Sequence, residues 1–257
     1  MQIKNKTVVV TGANRGMGKA FCKRIATENT ALILVNRKAN LELEKELKDL
    51  GAKSVVTYEA DLSIPSEVEQ IGRKLNDHDV DILFNNAGLW VGGLLEKQTM
   101  EEIQRMLTVN VNSVIQLTHA VLPQMLNKKS GKIVNHSSVA SLMHLPAAST
   151  YSASKAAVLS FTECLRKELK GTGVSTLVLL SPAIKTDMFE EINNLYGDHI
   201  KIKLPSTPTA KYIEHIYEAI RLDLSVLKPS GFTGANLKLS QYLPKAFDFI
   251  VDKAFKR

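Results

Sequence analysis

The chain has 257 residues, 44% hydrophobic and 23% charged, with a formal net charge of +7. That length can bury one sizeable core, and the composition is that of a folded globular protein and not of a disordered one. The positive balance favours anionic ligands such as nucleotide phosphates; with no dense Lys/Arg block interleaved with aromatics, no nucleic-acid partner is expected.

Lys6–Val10 reads as a first buried strand and Gly16–Asn29 as the helix after it. Ala31–Asn36 is a second strand, Asn40–Leu50 a charged amphipathic helix, and Ser54–Tyr58 a third strand. Pro65–Asn76 opens a helix with proline, where the missing N–H costs nothing. Val80–Phe84 is a fourth strand, followed by a long helical region from about Met100 to Asn127. Lys132–Asn135 is a fifth strand, Thr150–Lys170 a helix and Val174–Leu180 a sixth strand. The strands are apolar at consecutive positions, the pattern of strands covered on both faces. Regular strand–helix alternation then predicts an α/β doubly wound parallel β-sheet, a Rossmann fold, in one domain over residues 1–257. Within it, residues 1–188 are expected to form the cofactor-binding and catalytic core and 189–208 a lid; 209–257 form a C-terminal substrate-side region and tail. Ala210–Arg221 has helical periodicity. From Leu243 onward the tail reads as an amphipathic helix that can place Phe247, Ile250, Val251, Ala254 and Phe255 on one face. It is open to three readings: packing on the domain's own surface, an oligomer contact, or weak docking to a membrane surface.

Cys22 and Cys164 fall in expected helices, with no CxxC pair or histidine cluster, so they read as reduced thiols and no metal site is expected. The chain shows no signal-peptide pattern and no apolar run of membrane-spanning length, which points to the cytoplasm.

The glycine-rich stretch Thr11–Gly18 follows the first strand and opens the first helix. Gly12 permits a tight turn, and Gly16 and Gly18 let backbone and helix approach a pyrophosphate, bound by free N–H groups and the positive helix end; Asn14 and Met17 belong to the same loop. At the end of the second strand a carboxylate would bond the ribose hydroxyls of NAD and repel a 2′-phosphate. Here Asn36 and Arg37 stand there, and Arg15 lies in the loop, so the expected cofactor is NADP(H).

Several further motifs come in order: Asp61-Leu62, Asn85-Asn86-Ala87-Gly88, Asn110 within Thr108–Val111, Ser138, and Tyr151 with Lys155. With the glycine loop, over roughly residues 5–190, the chain resembles the single-domain short-chain dehydrogenases/reductases. The resemblance implies that Asp61 and Leu62 border the adenine, that Asn86, Ala87 and Gly88 line the ribose side, and that Thr186 bonds the nicotinamide carboxamide beside Pro182 and Ile184. The family usually has Pro-Gly where this chain has Pro182-Ala183, and Ala does not easily take positive φ, so a differently shaped loop is expected there. Asn110, by resemblance, bends the long helix and anchors a water next to Lys155, and Lys155 holds the nicotinamide ribose. Homo-oligomers (dimers or tetramers) through the helices around 100–127 and 150–170 are implied in the same way.

Tyr151 and Lys155 are four apart and stack on one helix face, where the ammonium should lower the phenol pKa and let Tyr151 act as acid or base. Ser138, thirteen residues earlier, would orient and polarise a substrate carbonyl. His136 beside Ser137 and Ser138 suggests a hydrolase, but adjacent strand residues face opposite ways and no nucleophile elbow is present, so it reads as structural. The substrate pocket is expected from Ala140, His144, Leu145 and Phe189 and to take an apolar carbonyl or secondary alcohol, with Trp90 read as a surface-loop anchor. Two rivals are carried: a non-catalytic NADP(H)-binding redox sensor, which would not need all of Asn110, Ser138, Tyr151 and Lys155, and a nucleotide-sugar epimerase or dehydratase, which needs a larger C-terminal domain than follows Thr186.

Overall fold

The computed structural model describes residues 1–186 and 205–257. Among them, seven strands form one sheet: β1 (Thr7–Thr11), β2 (Ala31–Asn36), β3 (Ser54–Glu59), β4 (Ile82–Asn85), β5 (Gly131–Ser138), β6 (Val174–Ser181) and β7 (Val226–Leu227). The order is β3-β2-β1-β4-β5-β6-β7 and every pairing is parallel. β1 therefore has β2 on one side and β4 on the other, and the direction in which successive strands are added across the sheet reverses there. In such sheets the crevice beyond the strand C-termini at this reversal is where ligands bind.

Side chains alternate across the sheet, which explains the unbroken apolar runs. Val8, Val10, Leu32 and Leu34 meet Phe21, Ile25, Ile213 and Ile216 on one face. Val9, Ile33 and Leu83 meet Val68, Ile71, Leu117 and Val121 on the other. The first face is covered by α1 (Gly16–Ala26), α2 (Leu41–Asp49) and α7 (Thr209–Arg221), the second by α3 (Pro65–Leu75), α5 (Ser113–Asn127) and α6 (Ser149–Glu168).

Three features refine the sequence expectation. The region expected to be helical from about Met100 to Asn127 is helical throughout, α4 (Met100–Leu107) running into α5 through a π-helical turn over Thr108–Asn112 that contains Asn110. β7 and α8 (Gly231–Tyr242) were not expected, since β7 is two residues long and Gly231 and Gly234 obscure the helical pattern. The tail forms α9 (Pro244–Ala254), which packs on the domain: Phe247 joins Leu237 of α8, Met143 and Leu180, with Val251 alongside. Ile250, expected on that face, is 45% exposed, and Phe249 beside it is exposed as well. No helix among the described residues is long and apolar enough to cross a membrane.

Candidate active site

Thr11 ends β1 at the sheet reversal, and the chain turns at once into α1. Gly12 (φ +67°) and Gly16 (φ +55°) both take the left-handed conformation that side chains disfavour. Arg15 precedes α1 in extended geometry, its side chain does not cap the helix, and the first turn carries no acidic residue. Its leading N–H groups and positive end are thus left for an anion. Asn86 ties this loop to β4: its amide donates to the Thr11 and Gly12 carbonyls at 3.0 and 3.3 Å, while the N–H groups of Asn86 and Ala87 donate to the Thr11 hydroxyl.

Asn36, expected among the cofactor-binding residues at the end of the second strand, is also tied into the glycine loop. Its side-chain oxygen accepts from the Ala13 N–H at 2.7 Å and so shapes the loop. Its Nδ2 is buried with no partner among the described residues, as is Oδ1 of Asn14, and both residues line the same cavity. Arg15, Arg37, Lys38 and Arg105 line this end. Asp61 accepts from the Ser63 N–H and hydroxyl at 2.9 and 2.7 Å and lies 3.6 Å from Arg105. Burial raises its pKa, but the Ser63 bonds and then the Arg105 and Arg37 charges outweigh that and hold it below the usual carboxylate value. Its carboxylate is therefore already engaged within the chain, and Leu62 beside it is buried in the core while bordering the cavity.

The catalytic candidates gather at the other end of a cavity of about 700 Å³. Ser138 ends β5, and Tyr151 and Lys155 project one turn apart from α6. Lys155 Nζ donates to the His136 carbonyl at 2.9 Å and lies 5.6 Å from the centre of the Tyr151 ring. Burial pushes the Lys155 amine down to about 8. Burial also pushes the Tyr151 phenol up to about 12, with the Ser138 hydroxyl drawing it partly back. The expected lowering of Tyr151 by Lys155 is thus not what the chain alone produces, because desolvation of the phenolate wins. His136 is pushed down to about 3, first by desolvation and then by the Lys155 charge.

Asn110 sits in the π turn, where the inserted residue re-aims its side chain. Its oxygen accepts from the Leu89 N–H at 2.8 Å, and its amide donates to the Leu89 carbonyl at 2.9 Å and to the Ser154 hydroxyl at 3.1 Å. A Cβ on Gly88 would meet Asn110 Oδ1 at 3.4 Å and Lys155 Nζ at 3.5 Å, so the two side chains converge on the space glycine leaves.

Pro182, Ala183, Ile184 and Thr186 close the cavity from β6, with Thr186 facing the glycine loop 3.5 Å from where a Gly16 Cβ would stand. Ala183 takes no left-handed conformation; its carbonyl accepts from the Thr207 N–H at 2.8 Å, which secures the loop without glycine. Ala140 and Leu145 line the cavity, but His144 does not: it is exposed, because Met143 and Leu145 turn inward around it. Phe189 and most of the expected lid lie outside the described residues. Trp90 corrects the sequence reading. It borders the cavity with its ring centre 4.4 Å from that of Tyr151. Arg105 and Lys38 were also missed; only Lys38, next to Arg37, carried a signal in the sequence.

The short chain dehydrogenase family profile matches residues 6–196. An uncharacterized oxidoreductase of Staphylococcus saprophyticus is 35% identical over 212 residues, 77% of this chain and 86% of that one. A 3-oxoacyl-[acyl-carrier-protein] reductase of Synechocystis is 32% identical over 192 residues, 73% of this chain and 78% of that one. A short-chain dehydrogenase from Sphingobium yanoikuyae, solved in complex with NADPH, superposes with a TM-score of 0.80 at 26% identity, covering 95% of each chain. One from Streptomyces avermitilis shares the fold, with a TM-score of 0.81 at 23% identity and 97% of each chain covered. The chain belongs to the short-chain dehydrogenase family of oxidoreductases.

Proposed function

We propose that the chain interconverts a carbonyl and a secondary alcohol with NADP(H), with Tyr151 as acid and base. The observation that carries this reading is a single cavity with Ser138, Tyr151 and Lys155 at one end and Arg15, Arg37, Lys38 and Arg105 at the other. The nucleotide end fits the cofactor by its donor chemistry: a helix start that the Arg15 side chain does not cap and that carries no acids, a buried amide at Asn36 with no partner among the described residues, and cations suited to a 2′-phosphate. When bound, NADPH supplies the hydride for the carbonyl carbon. Ser138 donates a hydrogen bond to the substrate oxygen and orients it. Tyr151 gives its hydroxyl proton to that oxygen as it gains charge, and takes a proton back in oxidation. Lys155 holds positive charge behind Tyr151 and is the group through which the proton is replaced. Asn110 acts through Leu89 and Ser154, fixing the strand-end loop and the α6 face. The substrate end is apolar, with Ala140, Leu145, Leu89 and Val139 around it, which favours an apolar carbonyl. Homo-oligomerisation through α4–α5 and α6 belongs to this reading, and Leu107 and Ile115 are exposed there at 37% and 39%.

NADPH and NADH oxidation against aldehydes, ketones and diketones, with Tyr151→Phe alongside, tests the reading. NADPH-dependent turnover reduced at least roughly a hundredfold by Tyr151→Phe is expected. Undiminished turnover in that variant would refute the role, and tight NADPH binding without any turnover would favour the sensor. Arg37→Asp should shift preference from NADPH towards NADH; an unchanged preference removes the 2′-phosphate argument.

A further inference from the structure

The loop after β4 does more than follow the Asn86–Gly88 stretch. Both polar groups of the Leu89 backbone are bonded to Asn110, so the chain enters the loop in one fixed direction. Trp90 comes next, with its indole tilted 58° over the Tyr151 ring at a centroid distance of 4.4 Å. The chain then folds back tightly: a Cβ on Gly92 would lie 2.5–2.7 Å from indole atoms, and Gly93 takes φ +105°. The far side is stapled to the segment that leads into α6. The Gly93 N–H donates to the Ala147 carbonyl at 2.8 Å, the Gln98 amide donates to the Gly93 carbonyl at 2.8 Å, and the Thr150 hydroxyl donates to Gln98 at 2.7 Å. Trp90 packs with Leu89 and Val91 against Met106, Ala140 and Tyr151, so the indole is held at the cavity wall from both ends of its loop.

We infer that Trp90 is the specificity-determining wall of the substrate subsite, and that it selects carbonyl compounds carrying a flat aromatic group next to the carbonyl. This deepens the reductase reading and rests on it. A carbonyl oxygen brought to Tyr151 and Ser138 places its substituents beside the indole. Aromatic rings gain from offset or tilted contact beyond their area of burial, whereas an alkyl chain gains only the area. A rigid indole loses little freedom when it makes that contact, so the preference costs the protein little ordering.

The test compares propiophenone with 2-nonanone, ketones of equal carbon number, in wild type, Trp90→Phe and Trp90→Ala. It uses NADPH oxidation, with NADPH affinity as the check that each variant is folded. Trp90 is the one tryptophan of the chain, so quenching of wild-type emission by propiophenone in the NADP⁺-loaded protein reports contact directly. The expected result is quenching together with a kcat/KM preference for the aryl ketone. That preference should fall about tenfold in Trp90→Ala and less in Trp90→Phe, with NADPH affinity retained. A ratio that stays the same in both variants, or wild type that uses neither ketone while reducing other carbonyls, overturns the inference and leaves the reductase reading standing. Absence of both NADPH binding and turnover of any carbonyl overturns the reading beneath it, and the inference with it.

Discussion

Gly18→Ala puts the nucleotide end of the site to a quantitative test. A Cβ at this position would stand 2.3 Å from the Gly12 carbonyl oxygen and 2.7 Å from the Asn86 amide nitrogen. A carbon–oxygen contact is ordinarily no closer than about 3.3 Å, so the two must separate by about 1 Å. Neither neighbour can yield: one is backbone, and the other is bonded to the Thr11 and Gly12 carbonyls. The start of α1 must therefore move away from the loop that β1 delivers. Overpacking of this kind costs about 1–3 kcal/mol. In a chain of this length each kcal/mol lowers the thermal midpoint by roughly 2–4 °C. The same movement misplaces the N–H groups that would meet the pyrophosphate. Loss of one charge-assisted hydrogen bond weakens NADPH binding at least about tenfold. Gly171→Ala is the control: at φ +82° with nothing within 4 Å of its would-be Cβ, it should cost roughly 1–2 kcal/mol of strain and leave NADPH affinity alone. Thermal melts and NADPH titration by fluorescence read both effects. Wild-type affinity and midpoint in Gly18→Ala, or equal weakening by Gly171→Ala, would refute the reasoning.

Two predictions concern pH. Lys155 lies at about 8, Tyr151 at about 12 and His136 at about 3 in the chain without cofactor. Reduction uses protonated Tyr151 beside charged Lys155, so kcat/KM, which reports the free enzyme, should be level between pH 5 and 7 and fall as pH rises through about 8. A break between pH 5 and 7 would contradict the neutral state assigned to His136. Asp81 accepts from the Thr7 N–H at 2.9 Å and pairs with Lys6 and Lys128 at 3.1 and 3.3 Å. Burial raises its pKa, but these bonds outweigh it and hold the carboxyl below its ordinary value of 3.8. Its stabilisation is therefore full above 3.8 and lost as pH falls through the lower folded value. Asp81→Asn should cost about 1–3 kcal/mol at pH 7 and flatten the acid limb of stability, measured by denaturant unfolding from pH 7 to 3. Parallel curves for the two proteins would count against the assignment.

Local signals in the sequence were enough for the parallel sheet, since a strand covered on both faces must be apolar at every position, as Val8, Val9 and Val10 are. They were enough too for the order of the glycine loop, Asn110, Ser138, Tyr151 and Lys155, because turn chemistry and helical spacing are properties of neighbours along the chain. What depends on distant segments meeting in space was not legible. Asn36 turned out to hold the Ala13 N–H, which needs β2 beside the β1 turn. His144 faces out because α8 and α9 pack Met143 and Leu145 inward, a choice made by helices about a hundred residues downstream. The π turn at Asn110 forms where its side chain finds Leu89 and Ser154. The Tyr151 phenol is pushed up because three-dimensional burial, which sequence spacing cannot show, outweighs the Ser138 hydrogen bond. Trp90 reached the active site only when its loop was stapled to the segment before α6. The sequence by itself determined the elements and the chemistry they carry; desolvation, side-chain facing and the shape of the substrate wall were decided by tertiary packing, because each depends on which remote atoms displace water.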